Sequence, residues 1–158
     1  MEALIEWLPK NVPDSDETRI VHGDYRVGNA LIHPAEPRVL AVLDWELSTL
    51  GDPLADLAYY CQLYHDRGAA GAELSESELV ASGVPSEEEV LEHYCRHTGR
   101  SSIEGWRFYM VFVMFRSAAI IQGVYKRGLA GNASSQRAHE YGEQVRGIAD
   151  AAWTLAQS

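Results

Sequence analysis

The order of apolar and polar positions divides the chain into a short strand-forming region and a longer helical region. Residues 2–8 have the pattern of the last turns of a helix, which Pro9 and Pro13 end. The next part contains short apolar runs separated by turns rich in Gly and Pro: Ile20-Val21, Ala30–Ile32 and Val39–Leu43. Such runs predict two or three short strands, with polar residues displayed in the loops between them.

After Asp44 the pattern becomes helical. The pair Asp52-Pro53 predicts a helix start, with Asp as the N-cap and Pro at the first helical position. We expect this helix to run to about His65. Residues 67–85 are rich in Gly, Ala, Ser and Glu, which predicts a mobile surface insertion.

Further helices follow this insertion. Residues 86–89 form a capping box that opens a helix ending at Gly99. Residues 103–126 carry apolar side chains around most of the helix circumference, which predicts a central helix. Residues 128–132 break this helix, and a last helix runs from about Ser135 to Leu155. The predicted fold class is α+β and mainly α, with a small β-hairpin region followed by about four helices in one domain, residues 1–158.

Composition and charge narrow the expected partners and compartment. Thirteen basic and twenty-three acidic residues give a formal charge of −10, which repels nucleic acid and anionic membranes, so we expect neither as a partner. The longest apolar run, Phe108–Phe115, is far shorter than a bilayer span. The N-terminus does not have the pattern of a signal peptide. Cys61 and Cys95 lack metal-type spacing, which favours packed thiols in a reducing, cytoplasmic compartment.

The most informative segment is the loop from His22 to Asn29. It places Asp24 two residues after His22 and Asn29 five residues after Asp24, and Asp44 follows Asn29 by fifteen residues at the end of another apolar run. Phosphoryl transfer to a hydroxyl needs a carboxylate that orients the acceptor and takes its proton. It also needs hard oxygen ligands for Mg²⁺. Asp24 suits the first role, and Asn29 and Asp44 suit the second. Asp, Asn and Gly also build ordinary turns, so the loop alone fits a purely structural reading equally well.

The segments around this loop resemble a known family. The pattern His-x-Asp-x-x-x-x-Asn, then Leu-Asp-Trp-Glu at 43–46 and Gly-Asp-Pro-Leu-Ala-Asp-Leu-Ala at 51–58, is similar to the aminoglycoside phosphotransferase family. This family is a distant relative of the eukaryotic-type protein kinases. Residues 25–29 and 45–48 resemble most a branch in which the kinase-like domain is sometimes joined to an acyl-CoA dehydrogenase. The strong motifs cover residues 20–60.

The resemblance implies roles for individual residues. Asp24 matches the catalytic aspartate of the family. Asn29 matches the magnesium-binding asparagine, and Asp44 matches the metal-binding aspartate, although Trp45-Glu46 stands where Phe-Gly is usual. ATP would be the co-substrate, and Mg²⁺ would bridge its phosphates.

Four neighbouring residues receive supporting roles from the same resemblance. His22 matches the loop histidine, whose expected role is to hold the loop by hydrogen bonds. Arg26 would either stabilise charge on the transferred phosphoryl group or brace the loop. Asp52 and Asp56 match acidic positions that look structural, capping a helix and bonding back toward the loop.

The nucleotide-gripping lobe of such kinases has no counterpart in the sequence. Only twenty-one residues precede His22, Lys10 is their sole lysine, and no Gly-x-Gly-x-x-Gly occurs. We therefore expect the C-terminal, catalytic and substrate lobe alone, a fragment that is inactive by itself. An uncovered interlobe face would favour a homo-oligomer.

The sequence leaves four classes of acceptor open: an aminoglycoside, a choline-like compound, a sugar and a hydroxyacyl compound. The branch resemblance favours the last. One acidic set could attract a cation but fits a solvated surface better: Glu73, Glu76, Glu78, Glu87, Glu88, Glu89 and Glu92. One aromatic set could line an acyl cleft but fits a core better: Trp106, Phe108, Tyr109, Phe112 and Phe115. Two alternatives to a kinase lobe are a non-catalytic scaffold module and a metal-dependent hydrolase using Asp24 and Asp44.

Overall fold

The computed structural model describes residues 1–15, 17–65, 76–129 and 141–158, and its strands form two small antiparallel pairs. The four strands are β1 (Arg19–Val21), β2 (Ala30–Ile32), β3 (Val39–Val42) and β4 (Thr49–Gly51). β2 pairs with β3 as the predicted hairpin, and β1 pairs with β4. The prediction that everything after Asp44 is helical was wrong for β4. This strand has three residues and pairs with β1 from a distance along the chain, so its local pattern carries little signal.

Six α-helices lie in the described part of the chain, which confirms the predicted class. They are α1 (Glu2–Trp7), α2 (Leu54–Cys61), α3 (Glu76–Ala81), α4 (Glu87–Thr98), α5 (Trp106–Leu129) and α6 (Tyr141–Gln157). α3 is an additional short helix within the segment predicted to be an insertion. The first part of that insertion and the predicted start of the last helix lie outside the described residues. Of the break predicted at 128–132, the first two residues still belong to α5, and the rest lies outside the described residues.

Capping groups fix the start of α2 and both ends of α4 as the sequence predicts. The Oδ1 atom of Asp52 accepts a hydrogen bond from the N–H of Leu54 at 2.9 Å, at the start of α2. Ser86 and Glu89 form the reciprocal capping box of α4, at 3.2 and 2.8 Å. α4 ends at Gly99, whose φ of +73° lies in the left-handed region that favours glycine.

α5 is the central element because it contributes to two hydrophobic clusters. One cluster joins it to α6 and α1 through buried residues that include Val111, Met114, Ile148, Ala152 and Leu4. The other cluster joins it to α2 through buried residues that include Met110, Val113, Leu57, Ala58 and Cys61. By length and apolar composition alone, α5 would be able to cross a membrane. Core helices of globular proteins often meet the same two criteria. The six buried residues of α5 all belong to these two clusters.

The strands leave apolar side chains exposed. Ile20 and Leu50 face each other in the β1–β4 register and are 73% and 71% exposed. The strand pair β2–β3 and the turns after it add further exposed apolar side chains: Leu31, Ile32, Val39, Leu40, Leu43, Trp45 and Leu47. We refer to these nine residues as the exposed strand residues. Together they exceed the scattered apolar exposure that is normal for a protein surface.

Candidate functional site

His22 connects the loop of residues 22–29 to the segment that follows β3. Its side chain is buried, and its Nδ1 atom accepts a hydrogen bond from the N–H of Asp24 at 3.2 Å. Its Nε2 atom lies 2.8 Å from the carbonyl oxygen of Leu43. Since Nδ1 accepts and the Leu43 oxygen can only accept, the ring proton lies on Nε2. The ring of Trp45 lies 4.7 Å from the ring of His22 and covers this connection.

The peptide groups of His22 and Gly23 are held by side chains from two helices. Asp56 on α2 accepts hydrogen bonds from the N–H of His22 at 2.5 Å and from that of Gly23 at 2.9 Å. Arg116 on α5 donates to the carbonyl oxygen of Gly23. Gly23 has a φ of +83°, and a Cβ atom there would lie 2.5 Å from the carbonyl oxygen of Leu47. The loop therefore requires glycine at this position.

The carboxylate of Asp24 is fixed by donors from the loop and from α2. The Nδ2 atom of Asn29 donates to the Asp24 carbonyl oxygen at 2.9 Å and to its Oδ2 atom at 2.8 Å. Arg26 Nε lies 3.3 Å from the same Oδ2 atom, and Tyr59 also bonds the carboxylate. Burial raises the pKa of Asp24, but these hydrogen bonds and the Arg26 charge outweigh it and hold the pKa below 3.8. Asp24 is thus ionised at neutral pH.

Asn29 and Asp44 are brought to neighbouring positions by the β2–β3 pair. The N–H of Leu43 donates to the carbonyl oxygen of Asn29 at 2.7 Å, and Asp44 is the next residue. Asp44 has a φ of +67°, a strained conformation for a residue with a side chain. Its carboxylate is exposed and makes no hydrogen bond or ion pair with another described residue.

These two residues suit a magnesium ion by their chemistry. Both hydrogens of the Asn29 amide are given to Asp24, which leaves its Oδ1 atom as the free coordinating oxygen. Asp44 offers an open carboxylate. Mg²⁺ is usually bound through one or two protein side chains together with water and phosphate oxygens. No group of three or more His, Cys, Asp or Glu side chains arranged for a metal occurs in the described part of the chain.

A cavity of about 480 Å³ opens beside Asp24. Its other walls come from α2, the turn after it, and α5: Tyr59, Tyr60, Gln62, Leu63, Ser117 and Ile121. Ser117 donates to the Oε1 atom of Gln62 at 2.8 Å. Among the described residues of the lining, only Asp24 and Arg26 are charged, and they form an ion pair. The cavity is therefore apolar and aromatic with a few neutral polar groups, apart from the carboxylate at one side.

The acidic and aromatic sets take mostly structural positions. Glu87 contacts His65 at 2.8 Å and Trp106 at 3.1 Å, and Glu89 belongs to the capping box. Glu73 lies outside the described residues, and those members of the set whose side chains the structure describes do not line the cavity beside Asp24. Tyr109 is buried, and its hydroxyl donates to Asp52 at 2.7 Å. Phe112 differs from the core interpretation. It is 37% exposed and, with Phe108, borders a second cavity of about 390 Å³.

The structure places all five predicted site residues in one region, and it adds residues that the sequence did not single out. Tyr59 and Arg116 contact the loop, while Gln62 and Ser117 form a polar pair in the cavity wall. The sequence contains a signal for two of these four residues. Tyr59 follows Asp56 by three residues, which places both on one face of α2. Arg116 interrupts an otherwise apolar stretch of a core helix.

Comparison with known proteins agrees with this geometry. Residues 1–109 match the family model described as "Phosphotransferase enzyme family". The chain belongs to this family. A crystal structure of a protein from Ralstonia eutropha JMP134, provisionally assigned as an aminoglycoside phosphotransferase, superimposes with a TM-score of 0.89 at 45% identity. The match covers 99% of this chain and 48% of that protein. The resemblance stated from the motifs is therefore confirmed.

Curated relatives of this phosphotransferase chain carry acyl-CoA dehydrogenase names. "Acyl-CoA dehydrogenase family member 10" of Mus musculus is 46% identical over 158 residues, covering 99% of this chain and 15% of the relative. "Acyl-CoA dehydrogenase family member 11" of Homo sapiens is 43% identical over 159 residues, covering 99% and 20%. The chain thus spans a fifth or less of these two proteins and about half of the solved relative. The phosphotransferase-type catalytic lobe is the part that they share with it.

Proposed function

We propose that this chain is the catalytic and acceptor-binding lobe of an ATP- and Mg²⁺-dependent kinase that phosphorylates a hydroxyl group of a small molecule. The observation that carries the proposal is the position of the Asp24 carboxylate, which forms one side of the cavity beside the loop. Asn29, Arg26 and Tyr59 hold this carboxylate. An acceptor hydroxyl in the cavity would meet an oriented, ionised carboxylate, as phosphoryl transfer requires.

The roles of the other loop residues follow from their contacts. Asn29 Oδ1 and the Asp44 carboxylate would hold Mg²⁺, which when bound neutralises charge on the nucleotide phosphates. His22 keeps Asp24 and Leu43 in register and touches no reactant. Arg26 lines the cavity and pairs with Asp24, where its guanidinium could meet a phosphoryl oxygen.

The acceptor class follows from the charge of the cavity. Several carboxylates would favour a polycationic aminoglycoside, whereas the lining offers one within the described part of the chain, already paired with Arg26. The apolar and aromatic wall suits an acceptor with an apolar body beside its hydroxyl. The names of the curated relatives associate this lobe with acyl-CoA proteins. We therefore propose a hydroxyacyl compound or a similar hydroxylated metabolite.

We further propose that turnover requires a nucleotide-gripping lobe that covers the exposed strand residues. The support is the paired exposure of Ile20 and Leu50, together with a solved relative about twice as long as the matched region. Alone, the 158-residue chain would have little or no ATP-dependent activity. A cytoplasmic location, with neither nucleic acid nor membrane as a partner, remains our expectation from the net charge and the free thiols.

The test compares the 158-residue chain with a chimaera that adds the unmatched portion of the Ralstonia relative. Each is incubated with ATP, Mg²⁺ and, in turn, a hydroxyacyl thioester, choline, a hexose and kanamycin. We expect phosphorylated hydroxyacyl product from the chimaera only, lost in Asp24→Asn and retained in the surface control Asp14→Asn. ATP turnover by the short chain alone, abolished by Asp24→Ala, would contradict the requirement for a second lobe.

Calorimetry separates the kinase from a scaffold module. Magnesium-dependent nucleotide binding by the chimaera should weaken in Asp44→Asn, because this substitution removes a charged metal ligand. Nucleotide binding without any phosphorylated product would favour a scaffold that retains the kinase-like lobe.

A further inference from the structure

Arg116 is a partly buried arginine without a carboxylate partner among the described residues. Its guanidinium donates to the Gly23 carbonyl oxygen, and it makes no ion pair within the part of the chain that the structure describes. An arginine on a core helix loses solvation, and an ion pair commonly offsets this cost. Here the offsetting contacts are a peptide carbonyl and an aromatic ring. These contacts indicate that Arg116 supports the loop of residues 22–29.

The second contact of Arg116 leads to the carboxylate of Asp24. The guanidinium carbon lies 5.4 Å from the centre of the Tyr59 ring, within the range of a cation–π contact. The Tyr59 side chain in turn hydrogen-bonds Asp24. Arg116 therefore contacts both the peptide before Asp24 and the tyrosine that holds its carboxylate. A planar guanidinium can donate at its edge and stack through its face at once, whereas a lysine ammonium cannot.

The residue that follows Arg116 belongs to the acceptor cavity. Ser117 lines the cavity and bonds Gln62, and Ile121 lines it one helical turn further along α5. The same segment of α5 thus holds the loop that carries Asp24 and forms a wall of the space where an acceptor would lie. A rigid helix can support both the Asp24 carboxylate and the acceptor hydroxyl, which must meet within a fraction of an ångström.

We propose that Arg116 is a positioning residue that sets the Asp24 carboxylate against the acceptor cavity. It acts through Gly23 and Tyr59 and touches no reactant itself. This inference rests on the proposed function for its catalytic consequence, but its structural part concerns the loop alone. The two parts therefore have separate tests.

The structural test uses amide hydrogen exchange and ¹⁵N NMR of the 158-residue chain. In Arg116→Met we expect the amides of Gly23 and Asp24 to shift and to exchange at least about tenfold faster, because the loop loses its support from α5. Arg107→Met is the matched control, since Arg107 is an exposed arginine on the same helix and its substitution should leave both amides unchanged. Arg116→Lys should recover part of the protection by donating to Gly23. Millimolar methylguanidinium should restore part of it in Arg116→Ala.

The catalytic test uses the chimaera with ATP, Mg²⁺ and whichever probe acceptor it phosphorylates. Arg116→Met should lower kcat by about 100-fold while KM for the acceptor changes by less than about threefold, because misplacement of the carboxylate affects the transition state more than binding. If no probe is phosphorylated, the proposed function fails and the exchange data alone decide the role of Arg116.

Specific results would overturn the inference. Unchanged Gly23 and Asp24 amides in Arg116→Met would do so, and so would an equal perturbation in Arg107→Met. If Arg116→Met does not fold, Arg116→Lys is compared with Arg107→Lys. A positioning role would then be excluded if Arg116→Lys had the same loop amide exchange and the same kcat as the unsubstituted protein and as Arg107→Lys.

Discussion

The carboxylate of Asp56 and the backbone N–H of Gly23 are 2.9 Å apart, although 33 positions separate the two residues in the sequence. The same carboxylate accepts the N–H of His22 at 2.5 Å. Asp56 lies on α2, which packs against α5, so its hydrogen bonds attach the loop to the helical core. Because a carboxylate can accept from both N–H groups at once, an acidic residue here satisfies two loop donors with one side chain.

Replacement of Asp56 by Asn should destabilise the protein. An amide presents one accepting oxygen and one donating nitrogen, so one of the two backbone N–H groups loses its partner. We expect the free energy of unfolding to fall by about 2–3 kcal/mol, as for the loss of a hydrogen bond to a charged group. Urea denaturation measures this change. Asp14→Asn, at an exposed position, should change stability by less than about 0.5 kcal/mol. A similar loss in both variants would contradict the role given to Asp56.

Alanine at Gly23 should cost more than alanine at Gly83. Both glycines have positive φ angles, +83° and +87°, but an added Cβ at Gly83 meets nothing within 4 Å. At Gly23 it would lie 2.5 Å from the carbonyl oxygen of Leu47. Gly83→Ala should cost about 1 kcal/mol from backbone strain alone. Gly23→Ala should cost about 1–3 kcal/mol more from the overlap. Equal midpoints in thermal and urea unfolding would show that the loop adjusts without cost.

The ionisation of Asp24 should depend on Tyr59. Its pKa in the folded protein lies below the ordinary value of 3.8, so the ionised carboxylate stabilises the fold above that pH. This stabilisation is lost as the pH falls through the lower, folded-state pKa. Tyr59→Phe removes one hydrogen bond and should raise the pKa of Asp24. Tyr60→Phe, which lines the same cavity, should leave it unchanged. NMR titration of the carboxyl carbon measures both, and identical titrations in the two variants would refute the contact.

The two cysteines should differ in reactivity. Cys61 is fully buried, and burial, with a smaller contribution from the charge of Glu87, raises the pKa of its thiol to about 12. Relative to an ordinary thiol at 9.0, its thiolate population at neutral pH is about a thousandfold lower. Cys95 is only partly buried. Ellman's reagent should therefore label one thiol rapidly in the native protein. Cys95→Ser should remove this fast phase and Cys61→Ser should retain it, and the reverse result would contradict the assigned burial.

The exposed strand residues should cause self-association when no other lobe covers them. The double variant Ile20→Lys and Leu50→Lys places charge at the two most exposed of these residues and should shift sedimentation velocity profiles toward monomer. Val12→Lys is a suitable control, since Val12 is 64% exposed and lies on a loop after α1. Sedimentation of the unsubstituted chain at the mass of the monomer at every concentration would rule out the homo-oligomer.

The sequence by itself determined the elements whose signals are local. The capping box at Ser86 and the glycine at 99 lie within a few residues of the helix ends that they fix, so α4 was predicted closely. The apolar circumference of residues 103–126 predicted a central helix for the same reason. The motifs from His22 to Asp56 identified the family, because their order and spacing are visible without any coordinates.

Only the tertiary structure decided which side chains support Asp24 and what surrounds it. Arg116 contacts Gly23 across 93 positions, and Ser117 meets Gln62 across 55. The pairing of β4 with β1 likewise has no local signal in the sequence. Such contacts depend on how the helices pack, and hydrophobic packing is specified by the whole core rather than by any short segment. The candidate chemistry of the loop could therefore be predicted from the sequence, whereas its support from α5 and the largely apolar cavity beside it depended on the packed fold.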